Sequence, residues 1–235
     1  PLNTETLVDD NPGTKVWMVD PSLGTVGGYY TYDGLNWTPT TPNQTAGQPD
    51  NTYIQSGQGF FVRSASNTTF TISESHKAIG NSNTWFDRSA NDTTSDKIRV
   101  LLYKQIDSQW QLSDGVLAVN SAAGNNDVDA TDTGKMTNFN ENIAFRNGTS
   151  NLAIEYKGLP VLGTIQPMRL TATTVQPYQL RVRTENYSNS NLQPYVEDTQ
   201  TGTLTVIPTD GSEVVVNFTG IAATSSNPDT RFRIV

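Results

Sequence analysis

Carboxylate side chains recur at nearly alternating positions in one polar segment of the chain. The three residues are Asp127, Asp129 and Asp132. Oxygen ligands spaced in this way can wrap a hard cation, so calcium is one expectation for this segment. The segment is not an EF-hand, because Ala130 stands where that loop needs glycine and Met136 where it needs a bidentate glutamate. We therefore favour a surface loop rich in Asx turns, in which carboxylates accept hydrogen bonds from backbone N–H groups, and we expect no cofactor.

Aromatic residues near the N-terminus form a second candidate site. Sugar-binding surfaces present exposed aromatic faces beside amide and carboxylate groups, since a pyranose has an apolar face ringed by hydroxyl groups. Tyr32 and Trp37 fit this description, with Asp33, Asn36 and Asn43 as polar neighbours. The alternative, which we favour, is that alternating tyrosines form cross-strand pairs and that the tryptophans fill the core.

Signatures of catalysis are absent from the sequence. His76 is the single histidine, and its sequence neighbours form no nucleophile–base–acid arrangement. The chain contains no G-x-S-x-G, H-E-x-x-H or P-loop motif, and nothing selects a catalytic pair among its 23 acidic residues. We expect a non-enzymatic protein in which His76 lies in a loop.

Composition indicates a β-rich extracellular protein. Of the 235 residues, 34% are apolar and 16% are charged, and the absence of cysteine excludes disulfides and thiolate metal sites. The net charge of −8 and the scattered basic residues argue against nucleic acid as a partner. No apolar run is long enough to span a bilayer, so we expect no membrane insertion.

Alternation with a period of two predicts β-strands wherever the sequence is not turn-like. Ile98, Val100 and Leu102 would face one side of a sheet, and Leu101 and Tyr103 the other. Asp-Gly, Asn-Gly and Thr-Gly pairs between such runs are typical of hairpin turns. The sequence therefore predicts an all-β protein built as an antiparallel, jelly-roll-like β-sandwich.

The chain divides into two parts by composition. Residues 1–80 are predicted to form a hairpin-rich N-terminal β segment packed onto a main sandwich, which residues 81–235 form. A polar stretch near residues 80–95 lies at the boundary. We interpret it as a long loop, because the first part is too polar and interrupted to fold well alone.

Four short blocks of the sequence carry a family resemblance. They are Ile54–Val62, Asp132–Met136, Tyr195–Asp198 and Arg231–Val235. In this order they resemble a motif series near the C-terminus of large gliding or adhesin-like surface proteins that the type IX secretion system of Bacteroidota exports. The chain is thus similar to the C-terminal β-sandwich region of those proteins, without their sorting domain. The resemblance implies a secreted, cell-surface protein with the secretion machinery as a partner, and a structural role for Asp132 and Lys135.

The resemblance and the missing catalytic signatures together predict a non-catalytic adhesin or stalk module that is also secretion cargo. The alternative is a carbohydrate-binding module of a secreted polysaccharide-degrading or glycan-adhering protein, with surface glycans as partners. Within the blocks, we expect Gly57 and Gly59 to shape the entry into the strand that begins at Phe60, and Phe232 to be a buried core anchor.

Overall fold

The computed structural model describes residues 1–20, 23, 27–38, 53–54, 57–64, 69–78, 95–188, 191–220 and 231–235, without the side chains of Trp37 and Tyr53. The polar stretch predicted near residues 80–95 lies almost entirely outside the described residues. All statements below concern the described part of the chain.

The N-terminal region consists of short strands and two short helical elements. They are β1 (Leu2–Asn3), α1 (Thr4–Asp9), β2 (Lys15–Asp20), β3 (Gly28–Tyr32), β4 (Trp37–Thr38), β5 (Tyr53–Ile54), β6 (Phe60–Arg63) and a 3-10 turn at Glu74–His76. The side chain of Asn3 accepts a hydrogen bond from the Thr6 N–H at 3.2 Å and so caps α1, a helix that the sequence analysis did not predict. No helix among the described residues is long and apolar enough to cross a membrane.

The remaining strands form one large sheet. They are β7 (Asp96–Ile106), β8 (Gln109–Asn120), β9 (Thr133–Gly134), β10 (Asn142–Asn147), β11 (Ser150–Lys157), β12 (Gln166–Thr171), β13 (Pro177–Glu185), β14 (Tyr195–Asp198), β15 (Thr203–Val206), β16 (Val214–Thr219) and β17 (Phe232–Ile234). The strand order is β15-β14-β17-β12-β10-β11-β8-β7-β13-β16, and β9 pairs with β11. The predicted all-β, largely antiparallel fold is confirmed, with the difference that β8 and β11 pair in parallel.

Strands from almost the whole length of this sheet contribute to one core, which we call the first core. It contains Ile98, Val100 and Leu102 of β7 as well as residues of the outlying strands β14 and β16. Phe218 of β16 packs against Phe232 of β17 with ring centroids 4.9 Å apart, although the two strands lie towards opposite ends of the strand order. The sheet therefore folds over on itself, so that its two halves enclose the first core as facing layers.

The hairpin of β7 and β8 is buried on both faces. Leu101 and Tyr103 point away from the first core and into a second core, which confirms the predicted alternation. The register shifts within this hairpin, because Leu102 pairs with Asp114 whereas Tyr103 pairs with Leu112. The extra residue is a β-bulge, and it turns Leu112 towards the second core.

The second core joins the N-terminal region to the hairpin of β7 and β8. Its other members come from α1, β2, β3 and their surroundings: Leu7, Val8, Val16, Met18, Leu23, Tyr30, Tyr32 and Ile54. Strands β4, β3, β2 and β6 form a four-stranded sheet in that order, and β1 pairs with β5. The N-terminal sheet thus covers the side of the β7–β8 hairpin that points away from the first core.

Of the two glycines before β6, only one has a backbone conformation that requires glycine. Gly57 has a φ of 82°, a left-handed conformation that most side chains avoid, so the predicted tight turn is confirmed there. Gly59 does not have a positive φ, and a side chain at this position would meet no atom within 4 Å. The expected requirement for glycine at position 59 is therefore wrong.

The last strand is fixed by charge as well as by burial. Arg231, just before β17, donates two hydrogen bonds to Asp198 at 2.8 and 2.6 Å, and Arg233 donates two to Glu197 at 2.7 and 3.0 Å. Two of the four sequence blocks are therefore neighbouring strands joined by bidentate arginine–carboxylate pairs. Phe232 between them is fully buried, as predicted.

Replacing Phe232 by alanine should destabilise the protein by about 3 to 5 kcal/mol, because the change leaves a cavity in the first core. Urea denaturation of the wild type and the variant measures this difference. Val215→Ala, at a position that is 40% exposed on β16, is the control and should change the stability by less than about 1 kcal/mol. A loss below about 1 kcal/mol for Phe232→Ala would contradict its role as a core anchor.

Candidate ligand-binding cleft and aromatic surface

One face of the N-terminal sheet is free of the second core. Alternate residues of β2 point into that core, so Lys15 and Trp17 project from the opposite side of the sheet. In the neighbouring strand β6, Arg63 pairs with Lys15 and Phe61 pairs with Trp17. Cross-strand partners share a face, so these four side chains lie on one side of the sheet, which we call the outer face. Phe61 and Arg63 are exposed on it, whereas Trp17 is buried, with 4% of its surface exposed.

A cleft of about 540 Å³ opens on the outer face. One wall is formed by Lys15, Trp17 and Arg63, and the facing wall includes Asp129, Asp132 and Lys135. The second wall comes from the loop before β9 and from β9 with the residue after it, so the cleft lies where the N-terminal sheet meets the large sheet. Its size is in the range of small-ligand sites, and its lining is mostly polar.

Lys15 is held by backbone carbonyl groups inside the cleft. Its Nζ donates to the carbonyl oxygens of Asp33 at 3.3 Å and Thr131 at 3.2 Å. Burial lowers the pKa of Lys15, and the nearby carboxylates of Asp33, Asp132 and Asp129 oppose that shift. The ammonium group therefore serves to join the two walls.

Lys135 is held more deeply. Its Nζ donates to Asp114 Oδ1 at 2.5 Å and to the Gly115 carbonyl at 3.2 Å, and the side chain of Asp114 is fully buried. Asp114 Oδ2 also accepts the Ile143 N–H at 2.8 Å. Burial raises the pKa of Asp114, while Lys135 and the backbone donors act to lower it. The structural partner of Lys135 is thus Asp114, and no hydrogen bond joins Lys135 to Asp132.

Arg63 differs from the other cations of the cleft. Its side chain is exposed, and it forms no hydrogen bond or ion pair with any residue that the structure describes. A methyl group placed on Gly134 would lie 3.6 Å from Arg63 Nη1, so the guanidinium group reaches across to β9. Its donors are therefore open to the cleft.

Three aromatic rings lie beside the cleft, and we call them the aromatic surface. The ring of Tyr29 in β3 is 5.9 Å from that of Phe61 and 5.9 Å from that of Phe139, measured between centroids. Phe61 is 50% exposed and Phe139 is 66% exposed. The Tyr29 N–H donates to Asn138 Oδ1 at 2.8 Å, which ties the loop that carries Phe139 to the N-terminal sheet. Exposed aromatic groups clustered in this way are uncommon on a surface without a binding role.

The three predicted metal ligands are arranged as a hydrogen-bonded loop. Asp132 accepts the Asp129 N–H at 2.9 Å with one oxygen and the Tyr156 N–H at 2.8 Å with the other. Asp129 accepts the Thr131 N–H at 2.8 Å, and Asp127 is exposed. These are the Asx-type contacts that the sequence analysis favoured. No group of three or more potential metal-binding side chains comes together among the described residues.

The two predicted sugar-binding aromatics do not form an exposed pair. Tyr32 is fully buried in the second core, and its hydroxyl donates to the Gly34 carbonyl at 2.7 Å. Trp37 pairs with Tyr32 along the backbone, and its side chain lies outside the described part of the structure. Tyr32 therefore cannot offer an aromatic face to a ligand. The exposed rings are instead those of Phe61, in the first sequence block, and Phe139, with the half-buried Tyr29 between them.

We expected His76 to lie in a loop, and this expectation is wrong. It ends the 3-10 turn and is 1% exposed. Its Nδ1 accepts the Ser73 N–H at 3.0 Å, so Nε2 carries the proton and donates to Asp10 Oδ2 at 2.9 Å. The histidine thus ties the turn to the end of α1.

No family model, no curated protein and no solved structure matches this chain. The function is therefore inferred from the geometry of the cleft and of the aromatic surface.

Removal of calcium should leave the melting temperature unchanged, because both oxygens of Asp132 already accept backbone hydrogen bonds. The measurement is thermal unfolding with and without a chelator, for the wild type and for Asp129→Asn/Asp132→Asn. A bound ion at a hundredfold excess over its dissociation constant would add about 3 kcal/mol. A chelator-induced fall in the wild type that the double variant lacks would therefore demonstrate a calcium site.

Replacing Lys135 by methionine should destabilise the protein by about 3 to 5 kcal/mol at neutral pH, because Asp114 keeps a buried charge without its partner. The change also raises the pKa of Asp114 further. In the folded variant, Asp114 then binds its proton at a higher pH than in the unfolded chain, where the pKa of an aspartate is about 3.9. Lowering the pH should therefore reduce the difference in the free energy of unfolding, the stability gap, between the variant and the wild type.

Chemical denaturation at a series of pH values measures this gap. The double variant Lys135→Met/Asp114→Asn removes both charges. The difference between its free energy of unfolding and that of the wild type should depend much less on pH. A Lys135→Met gap that stays constant as the pH falls would show that the charge of Asp114 is not what Lys135 balances.

Proposed function

We propose that this chain is a non-catalytic β-sandwich module of a secreted, cell-surface protein and acts as a glycan-binding adhesin. The observation that carries the proposal is the aromatic surface of Tyr29, Phe61 and Phe139 beside a polar cleft. A module that served only as a stalk would need no exposed aromatic cluster next to open hydrogen-bonding groups. A ligand with apolar faces and polar edges fits such a surface, and sugars have this character.

The four sequence blocks support a place among the type IX secretion cargo of Bacteroidota. Two of them form the ion-paired strands β14 and β17, and a third contributes Lys135, which holds the buried Asp114. Such residues maintain a fold, and residues that maintain a fold are expected to recur among related sandwich modules. Export by that machinery would make the secretion apparatus a partner of the chain.

The second candidate function is a carbohydrate-binding module attached to a secreted polysaccharide-degrading enzyme. The same aromatic surface favours it. The two functions differ in the domain that accompanies the module, and the sequence of the full-length gene product would separate them. An accompanying catalytic domain would favour the second, and adhesion repeats the first.

Truncating the aromatic surface should abolish or weaken glycan binding. The double variant Phe61→Ala/Phe139→Ala should bind immobilised polysaccharides at least about tenfold more weakly than the wild type, which corresponds to about 1.4 kcal/mol. Affinity electrophoresis in gels that contain plant, algal or bacterial polysaccharides measures this, with a glycan array as the first screen.

Leu162→Ala is the matched control, because this side chain is 92% exposed on a different loop. It should leave binding unchanged. Equal binding by the wild type and the double variant would remove the aromatic surface from the proposal, and no binding to any glycan by the wild type would overturn the proposed function.

A further inference from the structure

Among the described residues that line the cleft, one positively charged group has open hydrogen-bond donors. Lys15 is bonded to two carbonyl groups and Lys135 to Asp114, while both oxygens of Asp132 accept backbone N–H groups. Arg63 has no such partner among the described residues. An unpaired guanidinium group in a polar cleft is the natural contact for an anion brought by a ligand.

The position of Arg63 relative to the aromatic surface is set by the strand. Arg63 and Phe61 are two residues apart in β6, so their side chains project from the same face with Cα atoms about 7 Å apart. The ring of Phe61 contacts that of Tyr29 on the side towards β3. A chain of sugars lying on these rings would bring a substituent of a neighbouring sugar to the guanidinium group.

We propose that the ligand is an acidic saccharide, whose carboxylate or sulfate group is bound by Arg63 while its sugar rings lie on Phe61, Tyr29 and Phe139. This inference rests on the proposed glycan-binding function and names the class of glycan. Arginine presents its N–H donors as a planar fork that matches the two oxygens of a carboxylate or sulfate, which gives the site a geometric as well as an electrostatic preference.

The surrounding charge sets a limit on that ligand. Asp129 is exposed on the facing wall and the whole chain has a net charge of −8. A densely charged polyanion would be repelled, whereas a saccharide with a single acidic group at the site would meet Arg63 alone. The site should therefore favour sparsely charged acidic glycans, and the attraction should weaken as salt is added.

Three probes separate the sources of the anionic group. Partially methyl-esterified oligogalacturonate carries isolated carboxylates, the same oligosaccharide after carboxyl reduction is neutral, and a low-sulfate galactan carries sulfate. Calorimetric titration of each into the intact chain measures the affinities at low and high salt. The wild type should bind at least one acidic probe about tenfold more tightly than the neutral one. Preference for the uronate or for the galactan identifies carboxylate or sulfate as the group.

Variants at position 63 test the residue. Arg63→Gln should remove the preference for the acidic probe together with its salt dependence, while binding of the neutral probe is unchanged. Arg63→Lys should keep the charge but lose part of the preference, because it lacks the planar fork. Lys77→Gln is the matched control. It removes one positive charge at a lysine whose side chain is 63% exposed and pairs with Glu74. It should behave as the wild type, and thermal unfolding confirms that each variant is folded.

The inference is overturned if Arg63→Gln retains the preference, or if the wild type binds neutral and acidic probes equally well. Equal binding would leave glycan binding itself intact, so the two proposals fail separately. Failure of the wild type to bind any of the probes or any arrayed glycan overturns both.

Discussion

The structure depends on a hairpin that has no solvent face along most of its length. Strands β7 and β8 give one side to the first core. On the other side, β7 and the start of β8 contribute to the second core, while Leu117 and Val119 of β8 pack against Ile154 of β11, so both cores depend on this hairpin. Burial on both sides explains why Ile98–Tyr103 is nearly continuously apolar, interrupted only by Arg99. Arg99 is accommodated because it donates to Glu185 of β13 at 2.7 and 3.1 Å. The bulge at Ser113 completes the arrangement, since it lets β8 serve the first core with one part and the second core with the other.

Most of the charged residues described elsewhere in the molecule form ion pairs. Arg231 and Arg233 bind the carboxylates of β14, and Lys135 binds Asp114 in the interior. The cleft lies where the N-terminal sheet meets the large sheet, and the loop of Asx turns forms its far wall. Arg63 is at the end of β6, an edge strand of the smaller sheet, and pairs with no carboxylate among the described residues.

The sequence was informative wherever a pattern is local. Alternation placed Leu101 and Tyr103 opposite the first-core residues, and the turn at Gly57 followed from its neighbours. Alternation also places Tyr29 and Tyr32 on opposite faces of β3, but it does not say which face a second sheet will cover. The favoured core position of Tyr32 is correct, and its candidacy as a sugar-binding residue was wrong. The parallel pairing of β8 with β11 depends on residues distant in sequence, which no local pattern reports. His76 is buried because of Asp10, a contact that spans most of the N-terminal region.

The position of β17 has a consequence for how the molecule assembles. This strand is the last of the described strands in the sequence, yet it lies inside the sheet between β12 and β14. The β14–β15 hairpin packs against the first core, but it pairs with the large sheet only through β17, and bringing strands so distant in sequence together is entropically costly. Without β17, β12 presents an unpaired edge and Phe218 keeps only Tyr178 of its two ring partners. The pairing that joins β14 and β15 to the rest of the large sheet is therefore among its contacts of longest range in sequence, and contacts of this kind slow folding.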